Sequence, residues 1–150
     1  MSAAKQKGTA WETALVKYLG EVFGGLWGLL PRRVAQEGFK DTGDLHGLGP
    51  FIAQAKNWAS WQDAIREGLD GAEKQRVHAG ADYGVAFVKR ARKGTGEGYA
   101  VMTVATFARV LLRLQRAEAL LEANAPLAHG DHRRASRREL GATPDSMNRH

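Results

Sequence analysis

The chain has 150 residues, enough for one compact domain, and is 43% hydrophobic and 25% charged, the balance of an ordinary globular protein. It has no cysteine, which excludes disulfides and thiolate metal sites and fits a reducing compartment, and no apolar run approaches the roughly 20 residues of a membrane span. A formal net charge of +6 and a pI near 9.9 favour a polyanionic partner.

The start, Met1-Ser2-Ala3-Ala4-Lys5, lacks the apolar segment of a secretory signal, so a soluble cytoplasmic protein is expected. Residues 1–7 read as a flexible basic arm. Thr9 to Glu12 matches a capping box and predicts a helix opening at Thr9. Its stripes are Trp11, Leu15, Tyr18, Val22 and Glu12, Val16, Leu19, Phe23, and it ends near Gly24-Gly25. Pro31 breaks the chain, and Arg32 to Gln36 reads as a first strand. After a turn over 38–43, Asp44-Leu45-His46 starts a second strand, and Gly47 to Pro50 is a tight turn into a third, Phe51 to Lys56. Alternation sets Ile52, Gln54 and Lys56 on one face and Phe51, Ala53 and Ala55 on the other.

Ser60 caps a second helix, Trp61 to Ala79, with Ala64, Ile65, Leu69 and Ala72 toward the core. Tyr83 to Lys89 is a strand, 94–98 a glycine-rich loop and Tyr99 to Val104 the return strand. An amphipathic helix follows from Thr106 to about Ala123, closed by Pro126. The domain spans 8–127, and 128–150 read as a disordered basic tail. The order α-β-β-β-α-β-β-α predicts an α/β fold with a mixed central sheet flanked by helices.

Four polar residues carry a chemical pattern: Asp44, Gln54, Lys56 and Glu12, the last in the first turn of the first helix. Gln54 and Lys56 follow Asp44 by ten and twelve residues, and a hairpin with strands about 4.8 Å apart brings them close. Phosphodiester hydrolysis requires an activated water, neutralised charge at phosphorus and a stabilised leaving oxygen. Asp44 is a hard oxygen donor suited to Mg²⁺, and the Gln54 amide oxygen and Ala55 carbonyl are further oxygen ligands. Lys56 is a point cation able to orient the attacking water or stabilise the phosphorane. Asp41 competes with Asp44 for the metal; Asp44 is preferred because it enters the strand. Gln54 and Lys56 lie in a strand that looks buried, and polar groups there need partners.

Gly43-Asp44 and, across the hairpin, Gln54-Ala55-Lys56 resemble the signature of the PD-(D/E)xK nucleases, in which the middle acid of the triplet is sometimes Gln. The segment Lys7-Gly8-Thr9-Ala10-Trp11-Glu12 and its apolar helix are similar to the N-terminus of archaeal-type Holliday junction resolvases and their phage relatives. The resemblance covers about Lys7 to Val104. It implies a restriction-endonuclease-like core, a Mg²⁺ or Mn²⁺ cofactor, and an active site of Glu12, Asp44, Gln54 and Lys56, with Glu12 a further metal ligand. It also implies a homodimer matching the two-fold symmetry of a four-way DNA junction, in a prokaryotic or phage-infected cell. The amphipathic last helix or the apolar segment 23–30 would supply the interface. Resolvases usually carry Glu where this chain has Gln54, and the lost charge weakens metal binding.

The other polar and aromatic features have simpler readings beside functional ones. Glu12 is also the last residue of the capping box. His46 shares a face with Asp44 and is taken as a hairpin residue. Trp58 and Trp61 are expected to seat the second helix on the sheet, with base stacking as the alternative. Lys89, Arg90, Arg92 and Lys93 form a hairpin tip that would grip phosphates, and Lys5, Lys7, Lys40, Asn57 and Lys74 are further candidates for contact with DNA. Arg133, Arg134, Arg137 and Arg138 would add non-specific affinity; His129, Asp131 and His132 are not read as a metal site. Gly94, Gly96 and Gly98 precede a strand and do not form a dinucleotide fingerprint. Three functions remain open: a junction resolvase, a restriction or repair nuclease acting on duplex DNA, and a DNA-binding module that no longer cuts.

Overall fold

A computed structural model describes residues 2–24, 31–33 and 44–126. The elements follow the predicted order: α1 (Ala3–Phe23), β1 (Arg32–Arg33), β2 (Leu45–His46), β3 (Phe51–Lys56), α2 (Trp61–Ala79), β4 (Tyr83–Val88), β5 (Tyr99–Val101) and α3 (Val104–Ala123). A 3₁₀ turn, Thr95–Glu97, precedes β5. The strands form one sheet in the order β1-β2-β3-β4-β5. Among these strands only β3 and β4 run parallel, because α2 carries the chain back between them. The fold is therefore α/β with a mixed sheet flanked by helices.

Several boundaries differ from expectation. Helix α1 starts at Ala3, not at Thr9, and Ser2 is its cap, accepting from the Lys5 amide at 3.3 Å. Ala3, Ala4, Lys5, Gln6 and Lys7 are all good helix formers, and together they outweigh one interior glycine, Gly8. Thr9 is an interior residue whose carbonyl accepts from the Thr13 hydroxyl at 2.9 Å. The return strand ends at Val101, and α3 begins at Val104, where the Thr103 hydroxyl accepts from the Thr106 amide at 3.1 Å. The predicted continuation of the first strand to Gln36 and the tail lie outside the described residues.

The sheet separates two kinds of packing. On one face, Trp11 and Leu15 of α1 join Leu45, Leu48, Ala53, Ala55 and Val85 in the apolar core. Tyr18 and Val22, on the Trp11 stripe, are exposed. On the other face, α2 lies close to β3 and β4 through small residues. A Cβ added at Gly68 would stand 3.1 Å from Ala86 Cβ, and one at Gly84 would stand 3.0 Å from the Ala72 backbone. Ala64, Gly68, Ala72 and Gln75 are the buried residues of α2, while Ile65 and Leu69 are half-buried. Of the residues expected to face the core, Ala64 and Ala72 are buried as predicted, while Gly68 and Gln75 take the remaining contact positions in place of Ile65 and Leu69.

The chain divides into two units, 1–110 and 111–150. In the second, the described residues continue α3 to Ala123, and Leu111, Leu112, Leu114, Leu120 and Leu121 are exposed.

Candidate active site

Asp44 is placed by the turn that follows it. Gly47 and Gly49 adopt positive φ (81° and 59°), which reverses the chain between β2 and β3. Leu45 then pairs with Ala53 in the antiparallel ladder, and the Asp44 amide donates to the Ala53 carbonyl at 2.8 Å. Continuing that register sets Asp44 opposite Gln54. The carboxylate oxygen Oδ2 of Asp44 accepts from the Ala55 amide at 2.8 Å. A side-chain carboxylate thus docks on the backbone between Gln54 and Lys56, at the β2 edge of the triplet.

Gln54 and Lys56 share the face toward α2, as alternation predicted. Gln54 is buried, and its Nε2 donates to Oε1 of Gln75, also buried. Gly71 makes room: a Cβ there would lie 3.6 Å from Gln54 Cδ. The partner that a buried Gln54 requires is therefore Gln75. Sequence reasoning missed it, although a polar residue in line with Ala64, Gly68 and Ala72 was an available signal. With Nε2 held by Gln75, the other end of the amide is its oxygen, the atom suited to a hard cation.

Lys56 is half-buried, with its Cγ 3.2 Å from the position of a Cβ on Gly68. Its ammonium lies 5.4 Å from the centre of the Trp58 ring, and its carbonyl accepts from the Lys89 amide at 3.0 Å.

Glu12 is not part of a cap. Its Oε2 accepts from Arg33 Nε at 2.8 Å, and Arg33 also reaches the Thr9 hydroxyl at 3.4 Å. The pair ties α1 to β1. His46 is half-buried in β2 opposite Arg32. Among the described residues, no group of three or more His, Cys, Asp or Glu is placed to hold a metal ion together. The expected ligands Asp44, Gln54 and Ala55 include one carboxylate. Asp41 and Lys40 lie outside the described residues, as do His129, Asp131, His132, Arg133, Arg134, Arg137 and Arg138.

Trp58 and Trp61 are not core residues. They are 44% and 46% exposed. Trp61 packs on Tyr99 with ring centres 5.8 Å apart. Arg90 lies 5.1 Å from the Tyr99 ring centre, and Lys89 lies 5.7 Å from that of Trp11. Arg92 and Lys93 are exposed at the β4–β5 turn, where Arg92 adopts a positive φ of 59°. Asn57 donates to the Lys7 carbonyl at 3.4 Å, joining the end of β3 to the first turns of α1. Lys5, Lys7 and Lys74 are exposed.

No family model, curated protein or solved structure matches the chain. Among the described residues, no helix is long and apolar enough to cross a membrane.

Proposed function

We propose that the protein is a Mg²⁺-dependent, structure-selective DNA endonuclease, in the first instance a Holliday junction resolvase. The observation that carries this reading is the Asp44 carboxylate bonded to the Ala55 amide, within the Gln54-Ala55-Lys56 triplet. Its support is chemical. Asp44, the Gln54 oxygen and the Ala55 carbonyl are hard oxygen donors, and hard donors suit Mg²⁺ or Mn²⁺ rather than a soft metal. A divalent cation held there would lower the pKa of a bound water and polarise the phosphoryl group. Lys56, on the adjacent alternate position, supplies a positive charge for the attacking water or the phosphorane. Gln75 fixes the Gln54 amide so that its oxygen is the available end. Glu12, bonded to Arg33 on the α1 side of the sheet, is not counted among the ligands of this proposed site.

The basic net charge and the exposed cations of the β4–β5 turn fit a phosphate backbone. A homodimer belongs to the same proposal. On α3, exposed Leu111, Leu114 and Leu121 recur at coiled-coil-like spacings and offer one face to a second copy.

The test is cleavage of labelled four-way junction and duplex DNA with and without Mg²⁺, using the wild type and Lys56→Ala. Paired nicks in the junction that require metal and Lys56 support the resolvase. Cutting of plain duplex moves the protein to a restriction or repair nuclease. The neutral Gln54, held by Gln75, specifically favours one further reading, a DNA-binding module without catalysis. Binding without cutting in Mg²⁺ or Mn²⁺ would establish it.

A further inference from the structure

We propose that Trp61, Tyr99 and Arg90 form a platform on which the protein stacks an unpaired base of the DNA strand beside its cutting site. The proposal rests on the reading of the chain as a DNA-acting protein and adds the feature of DNA that it recognises.

Three observations carry it. Trp61 is the first residue of α2, held in place by the Ser60 cap, whose hydroxyl accepts from the Asp63 amide at 3.3 Å, yet its side chain is nearly half exposed. The ring is ordered against Tyr99 at 5.8 Å, and Arg90 lies 5.1 Å from the far partner of that pair. A second exposed indole, Trp58, stands over Lys56. Aromatic faces next to guanidinium and ammonium groups suit a ligand that is both flat and anionic. A nucleotide with an unstacked base is such a ligand, whereas the bases of an intact duplex keep their faces covered.

The sheet register supplies the link to chemistry. Lys56 pairs with Val88, and Val88 pairs with Tyr99. Lys56 and Tyr99 therefore lie in one row, two strands apart, about 10 Å from backbone to backbone. That span is one to two nucleotides of an extended strand, so a base on Tyr99 and Trp61 would set a nearby phosphodiester at Lys56. Lys89, Arg90, Arg92 and Lys93 line the same end of the sheet and would hold the flanking phosphates.

The experiment measures binding of a fluorescein-labelled oligo-dT 20-mer and a 20-base-pair duplex to the full chain, in EDTA at fixed salt. The variants are Trp61→Ala, Tyr99→Ala and Trp61→Phe; Trp58 is left intact because it touches Lys56. Circular dichroism checks folding, and Trp61→Phe retains a ring if the alanine variant is unstable. The expected result is that Trp61→Ala and Tyr99→Ala each bind oligo-dT about tenfold more weakly. Duplex affinity should change less than twofold, and Trp61→Phe should restore most of the loss. Equal losses on both DNAs, or none on oligo-dT, overturn the platform. Metal-dependent cleavage by the wild type is read separately. If cleavage persists while the variants bind as wild type does, only the platform falls. If the wild type neither binds nor cuts DNA, the functional reading falls with it.

Discussion

Gln54 on β3 donates its side-chain amide to Gln75 on α2, and both residues are buried between the sheet and the helix. Each satisfies a polar group that would otherwise be stranded in a contact built from glycine and alanine. Replacing Gln75 by Leu removes the acceptor and leaves the Gln54 amide buried without it. The expected cost is about 1–3 kcal/mol in urea unfolding. The double variant Gln54→Leu/Gln75→Leu should lose less than the sum of the single changes, because no unpaired amide remains. Additive losses would mean that the bond contributes nothing.

The same pair predicts a gain of metal affinity. Gln54→Glu places a second carboxylate next to Asp44, while Gln75 can turn its amide to donate. Mg²⁺ affinity measured by calorimetry should rise by about tenfold, since ligand charge tunes the affinity of oxygen sites. An unchanged affinity would show that position 54 does not face the metal.

Asp44 bonds the Ala55 amide and, in the proposed site, would hold the metal, and two substitutions separate these tasks. Asp44→Asn keeps an acceptor oxygen for the Ala55 amide, so the fold should lose about 1 kcal/mol or less. Metal-dependent cleavage should nonetheless fall by about a hundredfold or more, as removal of a charged ligand weakens the cation site. Asp44→Ala should also lose the bond to Ala55 and cost about 1.5–3 kcal/mol. Cleavage by Asp44→Asn at the wild-type rate would remove Asp44 from the site.

The glycines should divide by their surroundings. A Cβ at Gly84 would lie 3.0 Å from the Ala72 backbone, so Gly84→Ala should force α2 off the sheet at about 1–3 kcal/mol. Gly8, inside α1, has nothing within 4 Å of the point where a Cβ would stand, so Gly8→Ala should stabilise by about 0.5–1 kcal/mol. Thermal unfolding of the two variants checks both signs.

The exposed face of α3 predicts self-association. Sedimentation at micromolar concentration should give a dimer, and Leu111→Glu/Leu114→Glu should give a monomer with unchanged helix content. A monomeric wild type would count against a two-fold resolvase.

Much of this protein was written locally. Helix α2 has the predicted bounds because its signals are adjacent to it: Ser60 caps the start, and Gly80 takes the left-handed conformation that ends it. Strand β3 and its two faces followed from alternation alone. The proximity of Asp44 to the Gln54-Ala55-Lys56 triplet followed from a short hairpin. Other features depended on partners distant in sequence. Thr9 to Glu12 has the form of a capping box, but Ser2 captured the helix start and Arg33 captured Glu12. Gln75 is separated from Gln54 by 21 residues, and its role exists only once α2 lies across β3. The exposure of Trp58 and Trp61 was likewise not legible in the sequence, where both were expected to pack between helix and sheet. Sequence by itself determined the order of the elements and which residues share a face, since caps, turns and alternation act over a few residues. Tertiary packing decided which polar groups are paired and which rings face solvent, since those outcomes depend on contacts that no local pattern encodes.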